Sequence, residues 1–117
     1  MEYVQLGKSD LKVSKICLGC MSFGEAGENG WQLNQEKTDE MVKKALDLGI
    51  NFFDTANCYG KGSSEAFIGN SFKKFVKDRK DIIVATKVYT ILALYYQRLN
   101  KKISESFEIK FRTVMTK

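Results

Sequence analysis

The chain has 117 residues, of which 44% are hydrophobic and 28% are charged. This composition is typical of a globular protein and excludes a disordered or collagen-like chain. The length suits one domain with a modest core. Three cysteines and no histidine exclude a disulfide framework, histidine metal sites and histidine-dependent catalytic triads within these residues.

The net charge of +5 is unevenly distributed, with +1 in residues 1–89 and +4 in residues 90–117. The basic side chains of the second part form no run and accompany no base-stacking motif, so we expect no nucleic-acid partner. The longest apolar run, residues 91–96, is far below the ~20 residues of a membrane-spanning helix. With no signal-peptide pattern and few cysteines, we expect a cytoplasmic protein without a membrane partner.

The first third of the chain predicts a hairpin, a strand and a long loop. Residues 3–13 contain two short strand-like segments around turn residues, which favours a β-hairpin. Residues 16–18 are apolar and end at Gly19, as in a short strand. Residues 19–34 contain four glycines and predict a loop of a length that often carries function.

Two amphipathic helices follow, separated by apolar segments. Asn34 is the predicted N-cap of the first helix and Gly49 its end. The buried face of that helix is predicted to comprise Met41, Val42, Ala45 and Leu46. Ser64 is the predicted N-cap of the second helix. The buried face of the second helix is predicted to comprise Ile68, Phe72, Phe75 and Val76.

The apolar segments 50–53 and 82–85 complete an order of strand, helix, strand, helix, strand. Continuous apolar strands between amphipathic helices predict a parallel α/β sheet with both faces covered. Neither a dinucleotide-binding glycine fingerprint nor a phosphate-binding loop motif is present.

Asp54 and Lys87 each follow one of these strands, and Tyr59 lies in the loop after Asp54. The carboxyl ends of parallel strands share one edge of the sheet, so these side chains can meet. A nearby ammonium stabilises a phenolate, and a carboxylate keeps the ammonium charged and oriented. The alternative is that Asp54 merely terminates a strand, Tyr59 fills a loop and Lys87 is a surface charge.

Several motifs carry a resemblance to one family. They are residues 4–14 (VQLGKSDLKVS), 18–24 (LGCMSFG), 49–56 (GINFFDTA), 59–60 (YG), 64–69 (SEAFIG) and 85–88 (ATKV). In this order, over residues 3–89, they resemble the aldo-keto reductase family.

The resemblance implies an α/β (β/α)8 TIM barrel whose bottom is closed by an N-terminal β-hairpin, of which this chain holds about three βα units. It implies an oxidoreductase that transfers hydride from a nicotinamide cofactor, usually NADPH, to a small-molecule carbonyl substrate. By resemblance Tyr59 is the catalytic proton donor, Lys87 the lysine that strengthens it as an acid, and Asp54 the carboxylate bonded to that lysine.

The resemblance also implies residues that bind cofactor and substrate. The residues near the cofactor would be Gly19, Cys20, Met21 and Asp54. Trp31 and Tyr59 would contact substrate, although Trp31 could equally cap the barrel rim.

The three cysteines leave a redox or metal role open. Cys17 and Cys20 have the C-x-x-C spacing, and Cys58 lies in a later loop. The pair lies at a strand end rather than a helix N-terminus, and a zinc site needs four ligands. We therefore expect buried structural thiols and no metal.

The sequence departs from the family in three ways. It has no histidine, whereas the family has a catalytic histidine after its fourth strand. The loops after the seventh and eighth strands, which bind the cofactor phosphates, have no counterpart. We see no likeness to the family's next helix and strand in residues 90–117 and expect them to be a tail outside the resemblance. We therefore interpret residues 1–89 as the N-terminal part of a truncated barrel, inactive alone and a doubtful NADPH binder; the alternative is a non-catalytic fragment that associates through its open sheet edge.

Overall fold

The computed structural model describes residues 1–25 and 30–87. Strands β1 (Tyr3–Gln5) and β2 (Lys12–Ser14) pair antiparallel, with Val4 opposite Val13. Gly7 adopts a φ of +57° in the turn between them, a conformation that glycine takes without steric cost. The predicted hairpin is therefore confirmed.

Strands β3 (Leu18–Gly19), β4 (Phe52–Asp54) and β5 (Ile83–Ala85) form a parallel sheet in that order. This confirms the predicted parallel arrangement. Strand β3 is shorter than predicted and begins later, at Leu18. The Ser14 hydroxyl donates a hydrogen bond of 2.6 Å to the Ile16 carbonyl, and this bond turns the chain before the sheet begins.

Helix α1 (Gln35–Asp47) connects β3 to β4. The Asn34 side chain accepts a hydrogen bond of 3.0 Å from the Lys37 N–H, which confirms the predicted N-cap. Gly49, with a φ of +82°, ends the helix region as predicted. The buried side chains are Thr38, Val42 and Ala45. Met41 is 45% exposed, so its place in the predicted buried face is wrong.

Helix α2 (Ser63–Phe75) connects β4 to β5 and packs against α1. Its N-cap is Gly62, so the prediction of Ser64 as the cap is wrong. The Ser64 hydroxyl instead donates to the Cys20 carbonyl at 2.7 Å. Ile68 is buried as predicted, whereas Phe75 is 37% exposed because it lies at the end of the helix.

The core lies between the sheet and the two helices. Phe53 points into it and meets Phe72 edge-on, with 4.9 Å between the ring centroids. Because side chains alternate along a strand, Asp54 lies on the other face of the sheet. No helix within the described ranges is long and apolar enough to cross a membrane. Predictions about residues 90–117 lie outside the described residues.

Candidate active site

Asp54 and Lys87 meet at the carboxyl edge of the parallel sheet. Asp54 ends β4, and Lys87 follows β5 by two residues. The Lys87 Nζ donates to Asp54 Oδ2 at 2.6 Å and to the Thr55 carbonyl at 2.9 Å. Both groups come from segments that follow neighbouring strands, where ligands of parallel α/β proteins bind.

Tyr59 begins a tight turn, Tyr59–Gly62, in the loop after β4. The Lys87 Nζ lies 5.1 Å from the centroid of the Tyr59 ring, within the range of a cation–π interaction. Burial lowers the pKa of Lys87, but hydrogen bonding to Asp54 and to Tyr59 outweighs it, so the pKa lies above its ordinary value. The structure thus brings the three side chains together and keeps the ammonium charged.

Backbone hydrogen bonds extend the sheet beyond its strands and fix the segments that carry the site. The Thr55 N–H donates to the Ala85 carbonyl at 2.8 Å, and the Asn57 N–H donates to the Lys87 carbonyl at 3.2 Å. The loop then turns sharply at Lys61, which has a φ of +55° between two glycines of positive φ. This turn lets the chain enter α2 at Ser63, four residues after Tyr59.

The residues predicted near a cofactor lie in two environments. Gly19 is exposed and is the register partner of Asp54, and a Cβ placed on it would meet no atom within 4 Å. Met21 is also exposed. The Cys20 side chain is buried in the core, and its N–H donates to the Asp54 carbonyl at 2.8 Å. Open space therefore lies beside Gly19, on the same edge as Asp54.

Trp31 and the three cysteines differ in their exposure to solvent. Trp31 is 48% exposed, and its role at the rim or in a substrate pocket stays a prediction. Cys20 is buried as expected, but Cys17 and Cys58 are exposed, so the prediction of buried thiols is wrong for these two. Within residues 1–25 and 30–87 no group of three acidic or cysteine side chains is arranged to hold a metal ion.

Sequence reasoning missed the polar residues that surround the site. The Thr55 carbonyl is the second acceptor for Lys87, and a backbone carbonyl leaves no signal in a sequence. The Thr86 hydroxyl donates to Glu65 Oε1 at 2.6 Å. The position of Thr86 next to Lys87 was the one available indication of that bond.

The sequence model of the Aldo/keto reductase family matches residues 15–113. Versiconal hemiacetal acetate reductase of Aspergillus parasiticus is 43% identical over 89 residues, which cover 76% of this chain and 26% of that protein. The oxidoreductase YrpG of Bacillus subtilis is 41% identical over 93 residues, which cover 76% of this chain and 27% of that protein. The boundary at residue 89 stays a prediction.

Among solved structures, the holo form of the aldo-keto reductase AKR11C1 from Bacillus halodurans is 44% identical and superposes with a TM-score of 0.56. The match covers 75% of this chain and 26% of that chain. The chain thus spans about a quarter of the length of these relatives. Its hairpin, parallel strands and two helices correspond to part of the family's barrel, and the chain belongs to the aldo/keto reductase family.

Proposed function

We propose that Asp54, Tyr59 and Lys87 form the proton-donating side of a site for NAD(P)H-dependent carbonyl reduction. The observation that carries this proposal is the position of the Lys87 ammonium, 2.6 Å from Asp54 Oδ2 and 5.1 Å from the Tyr59 ring centroid. A fixed ammonium beside a phenol stabilises the phenolate that remains after proton donation. The Asp54 carboxylate keeps that ammonium charged and directs it.

The residues around this edge fit a nicotinamide cofactor. Gly19 leaves open space next to Asp54, and Met21 is exposed beside it. Gly19, Met21 and Asp54 would hold the cofactor, whereas the buried Cys20 thiol would not touch it. Bound NADPH supplies the hydride that adds to the carbonyl carbon of a small-molecule substrate.

Tyr59 performs the proton transfer of this reaction. Its hydroxyl gives a proton to the carbonyl oxygen, which becomes the alcohol oxygen of the product. Lys87 stabilises the phenolate until Tyr59 regains a proton from water. Trp31 would contribute to the substrate pocket.

We propose further that turnover needs barrel units beyond the three that the described residues contain. The described parallel sheet has three strands, and the sequence holds no histidine to match the family's fourth catalytic residue. Cytoplasmic location and the absence of nucleic-acid and membrane partners stay predictions.

Two preparations test the proposal. The first is the purified chain with NADPH and a panel of aldehydes, for which we expect no turnover. The second is a chimera in which residues 1–87 replace the matching segment of the Bacillus halodurans relative, for which we expect NADPH-dependent reduction.

Variants of the chimera identify the proton donor. Tyr59→Phe should abolish reduction while leaving NADPH binding, measured by fluorescence, in place. Tyr3→Phe is the matched control, because the Tyr3 hydroxyl donates to the Gly49 carbonyl at 2.7 Å in the hairpin region. A folded chimera in which Tyr59→Phe retains full activity would refute the role of Tyr59.

A second candidate function is assembly through the sheet edge. Within the described residues, β3 and β5 are the outer strands of the parallel sheet and each pairs on one side. An unpaired strand edge is a template for pairing with another chain. Light scattering of the purified chain tests this candidate, and a stable monomer would reject it.

A further inference from the structure

Three consecutive residues begin α2: Ser63 and Ser64 contact the two ends of the loop after β4, and Glu65 contacts the segment after β5. The Ser63 hydroxyl donates to the Gly60 carbonyl at 2.6 Å, next to Tyr59. The Ser64 hydroxyl lies 3.1 Å from the Thr55 hydroxyl, next to Asp54. Glu65 Oε1 accepts a hydrogen bond of 2.6 Å from the Thr86 hydroxyl, next to Lys87. One helix end therefore contacts the immediate neighbours of all three proposed catalytic residues.

The contact between the Ser64 and Thr55 hydroxyls is fully buried. Ser64 and Thr55 are both shielded from solvent, and Ser64 also donates to the Cys20 carbonyl at 2.7 Å. Among the described residues no buried side-chain polar atom lacks a partner. Moving Thr55 would leave a buried hydroxyl without its partner, which is costly. The Thr55 carbonyl, which accepts from Lys87 at 2.9 Å, is held in place by the same contact.

The loop of Tyr59 is also tightly packed against this helix end. A Cβ on Gly60 would lie 2.4 Å from the Ser63 Oγ, and a Cβ on Gly24 would lie at the same distance from that atom. The Ser63 Oγ further accepts a hydrogen bond of 3.2 Å from the Glu25 N–H. Ser63 therefore fixes the loop after β3 and the loop of Tyr59 relative to each other.

We propose that Ser63, Ser64 and Glu65 are positioning residues that set the distances among Asp54, Tyr59 and Lys87. This inference rests on the function proposed for that site. Asp54 and Tyr59 belong to the end of β4 and the loop after it, whereas Lys87 follows β5. The start of α2 is the element that contacts both segments. Catalytic groups need such support, because a displacement of about 1 Å can cost about 100-fold in rate.

The test measures the geometry of the site without cofactor or substrate. In the full chain with isotopically labelled lysine and tyrosine, NMR detects the nuclear Overhauser effect between the Lys87 side-chain methylenes and the Tyr59 ring. Glu65→Ala and Thr86→Val each remove one partner of the same hydrogen bond. We expect both variants to lose this cross-peak and to shift the Lys87 signals. Glu65→Gln retains an acceptor oxygen and should restore the wild-type pattern.

Ser71→Ala is the matched control for a purely structural role. Ser71 is buried in the same helix, and its hydroxyl donates to Asp39 Oδ1 at 2.6 Å, remote from the site in sequence. This variant should lower the unfolding midpoint and leave the cross-peak unchanged. Loss of the cross-peak in Ser71→Ala to the same extent would overturn the proposal.

Further outcomes also decide the question. A wild-type chain without the cross-peak, or folded Glu65→Ala and Thr86→Val chains that keep it, would overturn the positioning role. If Glu65→Ala does not fold, Thr86→Val still reports on the same bond with a side chain of the same shape. A chimera that lacks turnover, together with cross-peaks that follow this pattern, would reject the proposed function and keep the positioning role.

Discussion

The Lys87 ammonium is bonded to Asp54 Oδ2 at 2.6 Å, although 33 residues separate the two in the chain. The register of two parallel strands produces this contact, since Asp54 pairs with Ala85 across β4 and β5. Lys87 lies two residues beyond that partner, and its long side chain reaches back to the carboxylate. The pair combines a local feature, the strand ends, with a long-range one, the pairing of the strands.

We expect the Asp54–Lys87 pair to contribute little to stability. The two side chains are 39% and 50% exposed, and exposed ion pairs contribute at most about 1 kcal/mol. Lys87→Met should therefore change the free energy of unfolding, measured in urea, by less than about 1 kcal/mol. Lys43→Met is the matched control, because it breaks the exposed Lys43–Asp47 pair of α1. A loss several times larger than that of the control would show that the site pair holds the fold.

Phe53 should be a main determinant of stability. It is 0% exposed and meets Phe72 at a centroid distance of 4.9 Å. Phe53→Ala should lower the free energy of unfolding by about 3–5 kcal/mol, because it removes a large buried side chain and leaves a cavity. Met41→Ala, at an exposed position of α1, should change it by less than about 0.5 kcal/mol. Similar losses in urea denaturation for both variants would contradict this assignment of the core.

The three thiols should react with an aromatic disulfide reagent in a fixed order. Cys58 is exposed and should react first. Cys17 is an exposed residue, but partial burial of its thiol, followed by the Asp54 charge, raises the pKa of that thiol. Cys17 should therefore react more slowly than Cys58. Burial raises the pKa of Cys20 to about 12, so at neutral pH it should react only after unfolding.

Single-cysteine variants measured with and without urea separate these rates. In urea the three thiols should become similar, since the folded environment causes the differences. Reaction of folded Cys20 at the rate of Cys58 would contradict the burial of Cys20.

The Cys20 thiol should make the fold less stable at alkaline pH. Folded Cys20 keeps its proton up to a pKa of about 12, whereas the unfolded thiol releases it near pH 9. The unfolded state therefore binds fewer protons in this range, and stability falls as pH rises. The contribution of protonated Cys20 to the free energy of unfolding is fully present below about pH 9 and is lost by about pH 12. The raised pKa of Lys87 acts in the same direction, from its ordinary value of 10.5 upward.

Urea denaturation as a function of pH measures this effect. The free energy of unfolding should fall by up to about 1 kcal/mol per pH unit above pH 9 through Cys20. Cys20→Ala should reduce that slope, and Cys58→Ala, which alters an exposed thiol, should not. An equal slope in the wild type and Cys20→Ala would refute the contribution of Cys20.

The sequence by itself determined the order and type of the elements. Asn34 marks the start of α1 and Gly49 its end through interactions within a few residues. Continuously apolar strands need cover on both faces of their sheet. Helices that connect parallel strands provide this cover, so apolar segments between amphipathic helices indicate a parallel sheet. This sheet in turn places Asp54 and Lys87 at one edge, so their proximity could be predicted from the strand order. The roles of Asp54, Tyr59 and Lys87 came from the resemblance to the family and stay predictions.

Only the tertiary structure decided which side chains complete the site and which face of each element is buried. Serine is a residue type favoured at helix N-caps. Folding nevertheless places Ser64 beside Thr55 and Cys20, where it forms buried hydrogen bonds. Met41 fits a helical stripe but lies outside the contact between α1 and the core. These outcomes depend on how separate segments approach one another in space. Local periodicity does not contain that information, because it limits the possible faces of an element without selecting its neighbours.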